Sequence, residues 1–285
     1  MCFIRLLFAT LIAAIALPAH AQSHAEGDLR VMAFNVRLPL TSDGPDYWPN
    51  RRDLFIETLR TADADIIGTQ ELHKIQGDYI VEQLPLYAWF GIDRRGGRDD
   101  EHMGIFYRRD RLRVVDLGNF WLSDTPHLPG SISWGHPYPR MVTWGLVERI
   151  ADGQRFYLLN THFAYRSEDV EARRRMAEAI AAHIKALPAD VPVVLTGDFN
   201  ATPDEPAYAI LTAGLADAWT ATENRAGPDG TFHGFKGKAD RRIDWVLSRG
   251  FDTRRVWTTA EPLRGRYPSD HFPVVADLRF GSPQR

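Results

Sequence analysis

Leu29, Val31 and Ala33 alternate with Arg30, Met32 and Phe34 before the run ends at Asn35, a pattern that predicts a first strand. Phe55, Leu59 and Ala62 fall at i, i+4 and i+7 and predict a helix after Trp48-Pro49. The short run Ile66-Ile67-Gly68-Thr69-Gln70 predicts a buried strand that ends at Glu71. Further strands are predicted over 103–107, 141–147, 156–160, 191–196, 243–247 and 274–278. The clearest helix begins after Ser167, with Glu168 and Asp169 in its first turn, and stops at Pro188. Met176, Ile180, Ile184 and Leu187 make its buried stripe, and Arg173, Arg174 and Arg175 read as its solvated face. Segments 92–102, 121–139 and 221–241 are rich in Gly, Pro, Asp and Arg and read as surface loops. About ten strands with interspersed helices, and no long linker or repeat, predict a single α/β domain over residues 28–285, two sheets packed together with helices outside.

The first residues follow a different pattern. Arg5, an apolar stretch from Leu6 to Leu17 and then Pro18-Ala19-His20-Ala21 have the order of a signal peptide, residues 1–21, with cleavage expected after Ala21. An uncleaved membrane anchor is the alternative, but the stretch is short of the roughly 20 residues a span needs. The expectation is an exported chain, periplasmic or secreted, of 264 residues (285 minus 21) and without stable membrane insertion. The one cysteine, Cys2, lies in the leader, and at this size a large core makes disulfides unnecessary. Losing Arg5 moves the formal charge from −3 to −4, which argues against a broad positive surface for gripping nucleic acid.

Several predicted strands end in polar residues that burial alone does not call for. Asn35 ends the first and Glu71 follows the second; His162 follows Asn160-Thr161, Asp198 and Asn200 follow Thr196-Gly197, and Asp270-His271 precedes the last strand. Such endings, restricted to Asn, Asp, Glu and His, point to loops converging on one site. Metal-assisted attack on a phosphate ester needs this set: oxygen ligands for a hard cation, a base, and a group that orients the nucleophile.

Glu71 at a strand end suits Mg²⁺, and Asp270 reads as a second metal ligand beside His271 as base or phosphate contact. Asn35 serves through its carbonyl oxygen or by bonding a carboxylate, or is an ordinary turn asparagine. Asp198 and Asn200, two apart on an extended ending, would point the same way, one orienting water and one holding a phosphate oxygen; an Asx-turn pair is the alternative. Asp244 is a carboxylate in an apolar strand, costly unless paired, or else a surface acid on an edge strand. Arg140 and Tyr107 are candidates for steadying substrate charge, or simply a loop cation and a half-buried aromatic. His233, within Thr231-Phe232-His233-Gly234-Phe235, sits on an apolar tip that would border a substrate.

The islands Ala33-Phe34-Asn35, Gln70-Glu71, Asn160-Thr161-His162-Phe163, Gly197-Asp198-Phe199-Asn200, Arg242-Ile243-Asp244-Trp245 and Ser269-Asp270-His271 occur in the order of the endonuclease/exonuclease/phosphatase superfamily, which the chain resembles over residues 29–278. Phe120–Pro126, Gly230–Phe235 and Tyr267–His271 look more like its bacterial, often exported branch of metal-dependent hydrolases. The resemblance implies a four-layer sandwich, two mainly antiparallel β-sheets face to face with helices on the outside. It also implies that Asp244 partners His271 and that His162 faces the phosphate from the other side. The chain departs from many relatives in following Asn160-Thr161-His162 with Phe163-Ala164-Tyr165 and no acidic residue. The expectation is a monomeric, Mg²⁺- or Mn²⁺-dependent phosphoesterase, leaning to a small-molecule or lipid-headgroup ester. A secreted nuclease is the rival within that chemistry, with Arg94, Arg95, Arg98, Arg108, Arg109 and Arg111 as its basic residues. A non-catalytic binding protein on the same scaffold is the rival from another class.

Overall fold

The computed structural model describes residues 27–281, so the expected leader and its cleavage point lie outside the described residues. In chain order the elements are β1 (Asp28–Asn35), α1 (Trp48–Ala62), β2 (Ile66–Gln70), α2 (Lys74–Gln83), β3 (Tyr87–Phe90), β4 (Ile105–Arg108), β5 (Leu112–Trp121), β6 (Met141–Arg149) and β7 (Arg155–His162). They continue with α3 (Val170–Ala186), β8 (Val193–Asp198), α4 (Pro206–Thr212), β9 (Ala216–Asp217), β10 (Arg225–Ala226), β11 (Asp244–Arg249), β12 (Phe251–Thr258) and β13 (Val274–Phe280). Two sheets form, one in the order β10-β12-β13-β1-β2-β4-β3 and one in the order β5-β6-β7-β8-β11-β9. Both are mixed and mainly antiparallel; the parallel pairs are β1–β2, β10–β12 and β7–β8.

The alternation in β1 has apolar residues on both faces because both faces are covered. Leu29, Val31 and Ala33 pack with Ile66, Ile105, Phe156, Leu158, Val194 and Val246 between the sheets. Met32 and Phe34 point the other way, into a layer closed by Phe55, Ile56, Leu59 and Ile80 of α1 and α2. On the far side Leu159, Leu195, Trp245 and Leu247 meet Met176, Ile180 and Leu211 of α3 and α4. The order is therefore helices, sheet, sheet, helices, the expected sandwich. Phe34 and Phe55 stack at 4.6 Å, and burying one such ring stabilises by about 1.5–3 kcal/mol. Among the described residues no helix is long and apolar enough to cross a membrane.

One expectation about the Ser167 helix needs correction. Arg173 is not on a solvated face: it is 3% exposed, pairs with Glu205 at 2.9 Å and donates to the carbonyls of Ala164 and Arg166. Arg174 and Arg175 do lie outside, bonded to Glu171.

Candidate active site

Strand direction collects the polar endings. Because β1 and β2 run parallel, Asn35 pairs opposite Gln70 at one rim of the first sheet. Because β7 and β8 run parallel, His162 pairs opposite Asp198 at the same kind of ending in the second sheet, and antiparallel β11 begins with Asp244 opposite Asp198. A buried polar bridge joins the two sheets beneath these ends. Gln70 Nε2 donates to Asn160 Oδ1 at 2.7 Å, Thr196 Oγ1 donates to the same oxygen at 3.0 Å, and Asn160 Nδ2 donates to the Thr69 carbonyl at 2.7 Å. Gly68 permits the close approach: a Cβ there would stand 2.0 Å from Thr196 Oγ1.

Arg51 of α1 ties the third piece to these. Fully buried, it donates to the carbonyls of Val36, Arg37 and Asp46 and, across the chain, to that of Pro268 just ahead of Asp270-His271. The segment Thr231-Phe232-His233-Gly234 braces the same loop from behind. His233 and Gly234 donate their N–H groups to the Asp270 carbonyl, Phe272 donates to Thr231, and Thr231 Oγ1 accepts from the N–H groups of Ile243 and Asp244.

At the centre stands Asp198, 2% exposed. Its Oδ2 accepts from Asn35 Nδ2 at 3.0 Å and faces His162 Nε2 at 3.5 Å and His271 Nε2 at 3.8 Å. Behind His271, Nδ1 meets Asp244 Oδ2 at 2.8 Å. Burial, reinforced by the neighbouring Asp244 charge, pushes the Asp198 carboxyl up to about 7. Burial acts the other way on His271, but Asp244 and Asp198 outweigh it and raise the imidazole to about 10. His162 has no such support: burial, with Arg140 and His271 nearby, holds it well below the usual imidazole range. One ring is thus cationic at pH 7 and the other neutral, and both point at one carboxylate oxygen.

Asp198, His162 and His271 line a cleft of about 520 Å³ together with Glu71, Asp270, Arg37, Arg94, Glu101 and Arg140. Glu71 leaves β2 in a left-handed conformation (φ 57), a strain of about 1–3 kcal/mol that turns its carboxylate back toward β1. There Oε1 accepts from Asn35 Nδ2 at 3.2 Å and Oε2 from the Leu38 N–H at 3.1 Å. Burial raises Asp270, which Glu71 repels and His271 attracts. Arg37, itself paired with Asp43, stands 3.8 Å from both Glu71 and Asp270. The Arg37 guanidinium approaches both carboxylates, which therefore flank one space, and oxygen donors of this kind suit a hard divalent ion. Ligand atoms of Asp198, Asp244 and His271 also lie within 4.8 Å of one another. That second group offers a nitrogen and already commits Asp244 Oδ2 and His271 Nδ1 to each other, so Glu71 and Asp270 are the better oxygen site.

Nine of the eleven sequence-derived candidates gather here: Asn35, Glu71, Arg140, His162, Asp198, Asn200, Asp244, Asp270 and His271 either line the cleft or bond directly to a lining group. Two of these differ in detail. Asn200 is left-handed (φ 48) and its N–H closes an Asx turn onto Asp198 Oδ1, while its amide donates to the Phe163 carbonyl. The Asn35 side-chain Oδ1 accepts from the Arg37 N–H, so the side chain's contact with the site is through its NH₂ group. Tyr107 is a correction: it pairs with Ile66 at the other end of β2 and packs between the sheets, far from Glu71. His233 is another: it is 3% exposed, stacked on Phe272 at 4.0 Å and accepting from Gly237, a bracing residue with no face on the cleft.

Glu101, Tyr138 and Tyr165 were missed, and Arg94, expected only as a basic residue for nucleic acid, lines the cleft with them. Arg94 donates to Glu101 at 2.8 Å and Asp100 at 3.0 Å, and Glu101 Oε2 stands 3.9 Å from His162 Nδ1. Burial, with repulsion from Glu71, pushes Glu101 up to about 7. Arg140 is buried, and its Nη1 has no hydrogen-bond partner among the described residues. Four of the six proposed basic residues are held in ion pairs. Arg94 and Arg95 pair with Asp100, while Arg108 and Arg111 pair with Asp63, Asp65 and Asp110 around the far end of β4.

Comparison with known proteins bears on the family and the fold. The sequence profile of the Endonuclease/Exonuclease/phosphatase family matches residues 32–271. An endonuclease/exonuclease/phosphatase family protein from Bacteroides thetaiotaomicron is similar in structure, 32% identical with a TM-score of 0.84, over 90% of this chain and 98% of its own. The mannosyl-6-phosphatase Bt3783 of Bacteroides thetaiotaomicron is 31% identical with a TM-score of 0.83, over 88% of this chain and 100% of its own. An uncharacterized protein, L388, of Acanthamoeba polyphaga mimivirus is 29% identical, over 80% of this chain and 91% of its own.

Proposed function

We propose a function from one premise: the chain belongs to the endonuclease/exonuclease/phosphatase family and is a hydrolase of phosphate esters. The reading is a phosphoesterase of small molecules that works by direct in-line attack of water on phosphorus. The observation that carries it is the meeting of His162 Nε2, His271 Nε2 and Asn35 Nδ2 at one oxygen of Asp198.

Asp198, raised toward neutrality by burial and by Asp244, is suited to orient water and take its proton near pH 7. His271, kept cationic by Asp244, holds a phosphoryl oxygen and the charge that develops on it. His162, neutral, stands across from it beside the leaving oxygen. Arg140 brings an unpartnered Nη1 to the same space, where a phosphoryl oxygen would satisfy it. Glu71 and Asp270 would hold Mg²⁺ or Mn²⁺, which supplies further neutralisation of phosphoryl charge.

Three observations favour a small ester over nucleic acid. Four of the six arginines expected to grip a polynucleotide are held in ion pairs, the chain is net negative, and a 31%-identical relative is a mannosyl-6-phosphatase. Export as a single chain is part of the proposal and rests on the leader pattern of residues 1–21. The test is phosphate release from a panel of sugar phosphates, glycerol phosphate and an aryl phosphodiester with Mg²⁺, Mn²⁺ or EDTA, beside Asp198→Ala. The proposal expects metal-dependent release, salt-insensitive and lost in the variant. Turnover that is unchanged by EDTA, or confined to polynucleotides and steeply salt-dependent, overturns it.

A further inference from the structure

The cleft's floor is charged, yet three exposed large apolar residues line its mouth: Leu40, Tyr138 and Tyr165. The two tyrosines are 39% and 52% exposed, and their rings lie nearly parallel, 28° apart with centroids at 6.3 Å. Tyr138 ends the loop that leads into β6, and Tyr165 follows the end of β7. Val142 pairs with Thr161 across these strands, so both rings rise from the same edge of the sheet that carries His162. The platform is built rather than loose. Arg166 donates to the Gly135 carbonyl at 2.8 Å, His136 Nδ1 contacts the Tyr138 carbonyl at 2.7 Å, and the Arg94 guanidinium lies 4.7 Å over the Tyr138 ring. Neither phenol oxygen has a hydrogen-bond partner among the described residues, which leaves two hydroxyls beside two apolar ring faces. Tyr165 also stands where the sequence departs from many relatives, directly after Phe163-Ala164.

We propose that Tyr138 and Tyr165 form an aromatic subsite for the pyranose ring of a phosphorylated sugar, whose phosphate would lie over Asp198 and the two histidines. A pyranose presents C–H faces that pack on aromatic rings and an equatorial belt of hydroxyls that pairs with phenol oxygens and guanidinium N–H groups. This subsite matches both features. A cleft of about 520 Å³ is within the usual size of a small-ligand site and has room for one hexose phosphate. The inference rests on the phosphoesterase reading and names the substrate class within it.

The test compares hexose 6-phosphate with glycerol phosphate, which has no ring, in the wild type, Tyr138→Ala/Tyr165→Ala and Tyr138→Phe/Tyr165→Phe. The double alanine variant is expected to lose roughly tenfold or more in kcat/KM for the hexose ester, mainly through KM, and to change about twofold or less on glycerol phosphate. The double phenylalanine variant should recover most of that loss, since it keeps the rings. Calorimetric titration of wild-type protein with hexose 6-phosphate in EDTA should show binding that the double alanine variant lacks, independently of turnover. Equal losses on both esters, no loss on either, or a loss seen with a dinucleotide and not with the hexose overturns the subsite. If wild-type protein releases phosphate from none of these esters, the phosphoesterase reading fails; the titration then decides the subsite by itself.

Discussion

Replacing Asp244 with asparagine probes the part of the site that the geometry ties down most closely. Asp244 is 1% exposed, and its Oδ2 faces His271 Nδ1 at 2.8 Å. At an effective dielectric of about 20, opposite charges some 4 Å apart attract by about 4 kcal/mol. Asparagine removes that attraction while keeping the side chain's shape. Its amide must also place an N–H where Asp244 Oδ1 has no partner among the described residues, or present it to the imidazole Nδ1–H. Either way the cationic form of His271 loses its main support, and burial then pulls the imidazole down from about 10. The expected consequence is a neutral His271 at pH 7 and a kcat lower by about 100-fold, the scale of losing one charge-stabilising donor. Proton NMR titration of the His271 ring, beside kcat on a small phosphate ester, reads both effects. A His271 ring still cationic at pH 7 in Asp244→Asn, or a kcat within about threefold of wild type, refutes the assigned dyad.

Other outcomes follow from the same geometry. Activity requires Asp198 ionised and His271 protonated, so it should rise as pH passes about 7 and fall as pH approaches about 10; an acid limb near 4 contradicts the account. Glu71→Gln should raise the Mg²⁺ concentration for half-maximal activity about tenfold or more, because the ion loses one of two carboxylates; an unchanged metal titration places the ion elsewhere. Arg51→Met strips four carbonyls of their buried donor and should cost roughly 3 kcal/mol. At about 2–4 °C per kcal/mol for a domain of this size, the thermal midpoint should fall by about 6–12 °C. Gly68→Ala drives a methyl into Thr196 and should destabilise by about 1–3 kcal/mol in denaturant unfolding, with a native-like variant counting against the tight sheet-to-sheet contact.

Much of the site was legible because its residues end strands whose cores are strongly apolar. Asn35, Glu71, His162 and Asp198 stand out where an apolar run gives way to a polar residue, and parallel pairing does the rest. The elements that escaped are those with weak contrast. β5 is an edge strand with a bulge between Val114 and Asp116, which breaks its alternation, and Leu117 is exposed. α2 carries Gly77, where a Cβ would press on Trp89, so its helical periodicity is interrupted for a packing reason. The predicted strand over 103–107 begins later, at Ile105, because Gly104 gives its carbonyl to Thr69 and Asn160. Tyr107 and His233 resembled site residues locally, but strand register carries Tyr107 to the wrong end and a stack on Phe272 buries His233. Arg94, Glu101 and Tyr138 lie in loops whose Gly, Pro, Asp and Arg content gives no period. Their role is set by ion pairs and packing between distant segments, with Tyr165 the one member marked by an unusual position in a motif. Arg51 and Arg173 were hidden for the opposite reason, since charged residues on predicted helices read as solvated until their backbone partners are seen.

The central claim is that Asp198 directs water onto phosphorus without a covalent intermediate on the protein. The stereochemistry of the transferred group tests it directly: hydrolysis of a chiral thiophosphate ester in ¹⁸O-labelled water, with the product configuration read by ³¹P NMR. One direct displacement predicts inversion at phosphorus. Retention would require two displacements through a phosphorylated side chain and would contradict the account.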